Sequence, residues 1–121
     1  MESGSQKTVE EWDIERCRNE AEWQRAIKLA KKLRKNKNSS ERYVNFVIGE
    51  SKLEIFLKAN LPIKANISKA QHGLIKAKKY LELALDVDVI DDDDVTFYTK
   101  VRLAKLLFAC GNYKKSYEII S

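Results

Sequence analysis

The sequence predicts an all-α protein: antiparallel helix hairpins stacked as the start of an α-solenoid. Three observations predict it. Pro occurs once and Gly four times in 121 residues, so little interrupts helices, and Ala, Leu, Lys, Glu and Ile are abundant. Apolar residues recur at intervals of three and four along most of the chain. Two distant stretches, 19–33 and 104–120, share one order: a short turn, an aromatic residue, a small residue three further on, then apolar residues at helical spacing.

The elements follow in chain order. Residues 1–8 are polar, carry Gly and Ser, and read as a disordered N-terminus. A helical domain is expected over 9–121. Thr8 is placed to cap its first helix, with Glu10 and Glu11 in the first turn where the helix dipole favours anions. Trp12, Ile14 and Cys17 mark that short helix, and Ala21 falls at the turn. Trp23, Ala26, Ile27, Ala30 and Leu33 form a clear amphipathic stripe. Residues 36–40 are a loop in which Ser39 or Ser40 caps the next helix.

Tyr43, Val44, Val47, Ile48, Leu53, Phe56 and Leu57 mark a third helix ending near Ala59. Gly49 lies inside it, at a cost of about 1 kcal/mol relative to Ala, and is tolerable where a neighbouring helix approaches closely. Pro62 stops continuation. A fourth helix starts at Asn66 or Ser68 and carries Leu74, Ala77, Leu81, Ala84 and Leu85. The Asp-rich segment 86–94 breaks the pattern. A fifth helix over 95–109 places Phe97, Val101, Ala104, Leu107 and Phe108 on one face. Gly111 is a natural stop, and Tyr113 opens a sixth helix in which the chain ends, so the domain reads as truncated at its C-terminal end.

Six helices make three pairs. Ala26, Ala77 and Ser116 each sit three residues after an apolar residue: Trp23, Leu74 and Tyr113. A small residue there lets the two helices of a hairpin pack closely, and Ala104 suits the crossing point on the opposite helix. This is the grammar of tetratricopeptide repeats, although the intervals are uneven and exceed the regular repeat of about 34 residues. The long loops at 60–67 and 86–94 absorb the excess. Loss of a neighbouring repeat would expose Phe108, Tyr113, Tyr117 and Ile120 and favour self-association of the fragment.

The formal charge is +5 and the pI about 9.2, a balance that suits anionic partners. Two distant cysteines, Cys17 and Cys110, make no disulfide framework, fit small core positions, and point to a reducing cytoplasm. There is no signal peptide and no apolar run of the ~18 residues a membrane helix needs. The sequons at Asn38 and Asn66 are therefore coincidental. The Asp run, Asp86, Asp88, Asp91, Asp92, Asp93 and Asp94, lacks the Gly and distal Glu of a calcium loop and reads as a solvated linker whose last members cap a helix. His72 stands alone on a polar helix. No phosphate loop or nucleophile box appears, so no catalytic, cofactor or metal residues are expected, and the chain reads as a non-enzyme.

Two basic clusters remain: Lys28, Lys31, Lys32, Arg34, Lys35 and Lys37; and Lys64, Lys69, Lys76, Lys78 and Lys79. The aromatic residues fall on the apolar stripes, so they are expected in the core and not as base-stacking platforms; nucleic acid is not an expected partner. Within the first cluster, Lys28, Lys31, Lys32, Arg34 and Lys35 form the candidate patch for an acidic partner or a membrane surface.

Two strings are more specific than repeat spacing. The run 14–23, containing Glu15-Arg16-Cys17-Arg18, and the run 49–58, containing Gly49-Glu50-Ser51-Lys52-Leu53-Glu54, resemble successive helices at the start of the tetratricopeptide repeat protein 7 family. Residues 81–86 and 104–113 follow in the same order, so the resemblance covers most of 13–120. It implies a non-enzymatic scaffold fragment that helps assemble a phosphatidylinositol 4-kinase complex and localise it from the cytoplasm to the plasma membrane. It also implies protein partners: phosphatidylinositol 4-kinase type III alpha, a hyccin-type subunit and a palmitoylated membrane anchor, with any membrane contact indirect or peripheral. The alternative is a free-standing tetratricopeptide adaptor that binds a peptide or protein partner in a groove.

Overall fold

A computed structural model describes residues 8–36, 40–60, 66–85 and 94–120. The expectations for residues 1–7, Lys37, Asn38, Ser39, Pro62, Lys64 and the Asp run before Asp94 lie outside them. Among the described residues there are seven helices and no strand: α1 (Val9–Asn19), α2 (Trp23–Arg34), α3 (Glu41–Ala59), α4 (Ile67–Gly73), α5 (Ile75–Ala84), α6 (Asp94–Ala109) and α7 (Tyr113–Ile120).

The helix ends obey local chemistry. Thr8 and Glu11 form a capping box: the Glu11 amide donates to the Thr8 hydroxyl at 3.2 Å, and the Thr8 amide donates to Glu11 Oε1 at 2.8 Å. Ser40 caps α3 by accepting from the Tyr43 amide. The two hairpin turns are built alike. At α1–α2 the Ala21 and Glu22 amides donate to the Arg18 and Cys17 carbonyls; at α6–α7 the Gly111 and Asn112 amides donate to those of Phe108 and Leu107. Both are Schellman turns, and each needs a left-handed residue: Ala21 at φ 56° and Gly111 at φ 82°.

α3 is the axis. Its residues 43–51 are buried without interruption, because other helices surround it. α2 and α5 pack along it on one side, and α1 and α6 meet it through side chains on another. Gly49 sits where α5 crosses: a Cβ there would lie 2.8 Å from Leu81 Cγ. The expected small crossing residues are all buried: Ala26, Ala77, Ala104 and Ser116. Ser116 also donates through Oγ to the Ala104 carbonyl at 2.6 Å, tying α7 to α6. The core is filled mainly by Ile14, Phe46, Ile48, Leu53, Leu74, Leu81 and Leu106, with the Cys17 thiol among them. Arg42 bridges the ends of α5 and α6, donating to the Ala84 carbonyl and the Thr96 hydroxyl.

Three expectations need correction. The single fourth helix is two helices, α4 and α5, with Leu74 as the joint. The Phe56 ring occupies the place of a Gly73 side chain (a Cβ there would lie 2.4 Å from Phe56 Cε2), so the chain bends at the residue that lacks one. The α6 stripe is rotated in part: Ala104 and Leu107 are buried as expected, but Thr99, Leu103 and Leu106 complete the inward face, whereas Phe97, Val101 and Phe108 are exposed. The aromatic residues are not a core set either. Tyr43 and Phe46 are buried, but Trp12, Phe97 and Tyr98 lie at the surface; Phe108, Tyr113, Tyr117 and Ile120 are exposed as expected. Both faces of α6 satisfy the helical period, and close approach of α3 and α7 selects the face with the more compact side chains.

Candidate functional site

Two polar constructions flank α3. The first is an ionic cluster joining α1, α3 and α6. Glu50 stands in the middle of the apolar run of α3 and is wholly buried. Its Oε1 accepts from Arg18 Nε at 2.5 Å, and its Oε2 accepts from Arg18 NH2 at 3.0 Å and from Arg102 Nε at 2.7 Å. Arg18 also donates to Glu15 at 2.8 Å and lies over the Phe46 ring, 4.7 Å from its centroid. Glu15 in turn accepts from the Tyr43 hydroxyl. One turn along α3, Glu54 accepts from Arg102 and Lys105 at 3.1 and 2.8 Å.

The electrostatics follow the geometry. Burial pulls the Arg18 guanidinium down, but the hydrogen bond and charge of Glu50, with those of Glu15, outweigh it and hold the group above its ordinary value. Burial and the Glu15 carboxylate push the Tyr43 hydroxyl well up. The contacts also set a register. Phe46 stacks with Tyr98, Glu50 pairs with Arg102, and Glu54 with Lys105, so α3 and α6 run parallel, as first helices of successive hairpins must. These residues were not singled out as a site. The available signal was Glu50 itself, a carboxylate inside an apolar run, which folds only if paired.

The second construction is a groove with α2 and α5 as walls and α3 as floor. Lys31 and Arg34 of the expected patch line it, and they meet Lys76 and Lys79 of the second basic cluster there, together with Lys52 from the floor. The carboxylate in this part is Glu41. Arg34 lies 6.0 Å from the Tyr80 ring centroid and donates to Asn45 at 3.4 Å. Lys28 and Lys32 are exposed on α2 and Lys35 at its C-terminal cap, but these three do not line the groove. Lys69 and Lys78 lie elsewhere, Lys78 in a separate cleft between α5 and α6. His72 is exposed, its Nδ1 2.9 Å from the Ser68 carbonyl oxygen.

Cys17 and Cys110 are free thiols, and burial pushes both up from their ordinary values. Among the described residues no group of three or more His, Cys, Asp or Glu could hold a metal ion, and no helix is long and apolar enough to cross a membrane.

Parallel first helices, a second layer of antiparallel partners, and small residues at each crossing define a tetratricopeptide-type segment of an α-solenoid. The chain belongs to the tetratricopeptide repeat protein 7 family: the family model described as "Tetratricopeptide repeat protein 7 N-terminal" matches residues 1–121. It is 32% identical over 111 residues to tetratricopeptide repeat protein 7B of Homo sapiens and, equally, to that of Mus musculus. Each alignment covers 90% of this chain and 13% of the relative, so the chain spans a small part of the curated relatives' length. No solved structure matches it.

Proposed function

We propose that this chain is a non-enzymatic scaffold segment that helps assemble a phosphatidylinositol 4-kinase complex and recruit it from the cytoplasm to the plasma membrane. The observation that carries the reading is the convergence of the two family-like strings. Glu15 and Arg18 from one, and Glu50 and Glu54 from the other, form the ionic cluster that sets the register of successive hairpins. A segment built this way presents fixed surfaces and works by shape and charge. Its partners on this reading are phosphatidylinositol 4-kinase type III alpha, a hyccin-type subunit and a palmitoylated membrane anchor. The exposed cations Lys28, Lys31, Lys32, Arg34 and Lys35 are the contact patch for an acidic partner surface or, peripherally, the membrane.

The test is capture from cytosol with this chain and with a version lengthened along the family sequence by several hundred residues. Recovery of the kinase by both places a docking surface in this segment; recovery by the long form alone makes it a structural cap. Recovery by neither sinks the scaffold reading. Charge reversal at Lys31, Lys32 and Lys35 should weaken recruitment, and unchanged recruitment removes the patch from consideration.

A further inference from the structure

The α2–α5 groove is graded along its length. One half is apolar: Ile27, Ile55, Phe56 and Ile75 line a cavity of about 700 Å³, together with Gln24, Asn60 and His72. The other half, of about 660 Å³, is the basic one. Lys52 and Lys76 belong to both halves, so the two are continuous. In the basic half five cations, Lys31, Arg34, Lys52, Lys76 and Lys79, face one carboxylate, Glu41. Among the described residues none of the five has a carboxylate within ion-pair distance. The contrast with the ionic cluster on the other side of α3 is sharp, since there each carboxylate faces a guanidinium or an ammonium. Between Gln24 and Arg34 the α2 wall spans about 15 Å, at 1.5 Å per helical residue.

We propose that this groove binds a segment of a partner protein in which a few apolar residues are followed by acidic ones. The apolar residues seat between Ile27, Phe56 and Ile75, and the acidic residues are held by Lys31, Lys76 and Lys79. Complementarity of charge chooses this occupant, and shape separates it from other polyanions. Ile27, Ile55 and Phe56 are half-buried in the wall and floor, where the plane of a bilayer does not reach them. Tyr80 is half-buried under Arg34, so it offers no open face for stacking a base. The proposal rests on the scaffold reading only in treating the protein as one that binds other proteins. It goes beyond it in naming the groove and the chemistry of its ligand.

The probes are fluorescein-labelled peptides of equal length: four apolar residues followed by four glutamates, a glutamate-only peptide, and four apolar residues followed by four lysines. The apolar–acidic peptide is expected to bind at least tenfold tighter than the glutamate-only peptide, and the lysine version not at all. Ile75→Glu and the pair Lys76→Glu/Lys79→Glu each weaken binding at least tenfold. The pair Lys100→Glu/Lys114→Glu makes the same charge change away from both the groove and the α2 patch and leaves binding within about twofold. All these positions are exposed, and circular dichroism checks that each variant folds.

Equal binding of the two acidic peptides, or equal loss in the two lysine pairs, overturns the proposal in favour of general charge attraction. Tighter binding to phosphatidylserine vesicles or to a single-stranded oligonucleotide, uncompeted by the peptide, overturns it in favour of those ligands. The outcome is separable from that of the kinase capture. Peptide binding without kinase recovery defeats the scaffold reading alone, and recovery that survives Lys76→Glu/Lys79→Glu without peptide binding defeats the groove alone.

Discussion

Arg18 of α1 grips Glu50 of α3 with two hydrogen bonds, 2.5 Å from Nε to Oε1 and 3.0 Å from NH2 to Oε2. Arg102 closes the cluster from α6 at 2.7 Å. Removing one partner of a buried pair leaves the other charge uncompensated, which costs far more than the pair contributes. Glu50→Ala is therefore expected to cost about 3–5 kcal/mol by urea unfolding. Arg102→Ala should cost nearer 1 kcal/mol, because Arg102 is more exposed than Arg18 and Glu50 keeps its bidentate partner. Equal losses would mean that α6, not α1, is the principal support of Glu50.

The two left-handed turn positions should answer in opposite directions. Gly111→Ala puts a Cβ at φ 82° and within 3.1 Å of an Ile67 methyl, and is expected to cost about 1–2 kcal/mol. Ala21→Gly relieves the same kind of strain at φ 56°. Extra freedom in the unfolded chain offsets part of that gain, leaving a net stabilisation of up to about 1 kcal/mol. Denaturation midpoints of the two variants decide it; a loss at Ala21 would contradict the shared turn geometry.

Gly49 tests the crossing of α3 and α5. Alanine has the better helix propensity by about 1 kcal/mol, yet its Cβ would meet Leu81 Cγ at 2.8 Å and the Leu81 amide nitrogen at 3.1 Å. Side-chain rotation cannot relieve a backbone contact. Gly49→Ala is expected to lose about 1–3 kcal/mol by overpacking, and Gly49→Leu more. A thermal midpoint raised by Gly49→Ala would show that the helices can separate at no cost.

The protein should weaken on the alkaline side. Burial raises the Cys17 thiol, and burial with the Glu15 contact raises the Tyr43 hydroxyl. The folded state therefore keeps protons that the unfolded chain releases above about pH 8.5 for Cys and about pH 10 for Tyr. Stability from these groups is complete below that range and falls as pH rises through it. Urea midpoints from pH 7 to 11 should decline beyond pH 9. Tyr43→Phe should cost about 1 kcal/mol at pH 7 and flatten the slope above pH 10. An unchanged slope would assign the alkaline loss to other groups.

Much of the fold is legible in the chain because it is written locally. Thr8 and Ser40 cap the helices they precede, Gly111 ends α6, and Ala26, Ala77 and Ser116 mark hairpin crossings within a few residues of the turns that need them. The α4–α5 joint was not legible. Gly73 alone is tolerable within a helix, and only Phe56, from another element, makes its missing side chain necessary. The phase of α6 was legible only in part for a similar reason: Phe97, Val101 and Phe108 keep the helical period as well as Thr99, Leu103 and Leu106 do.

The polar sites divide the same way. Read along the chain alone, the residues specify all-α, tetratricopeptide-like hairpins, their caps and turns, an excess of cations and two family-like strings, because backbone hydrogen bonding and the 3.6-residue period act within a few residues. Long-range packing is what sets Glu50 against Arg18 and Arg102, from 32 and 52 residues away. It alone brought Lys31 and Arg34 across a groove from Lys76 and Lys79. Such meetings depend on how closely helices approach and which faces they turn to one another. Packing settles that between segments, and no local pattern of charges encodes it.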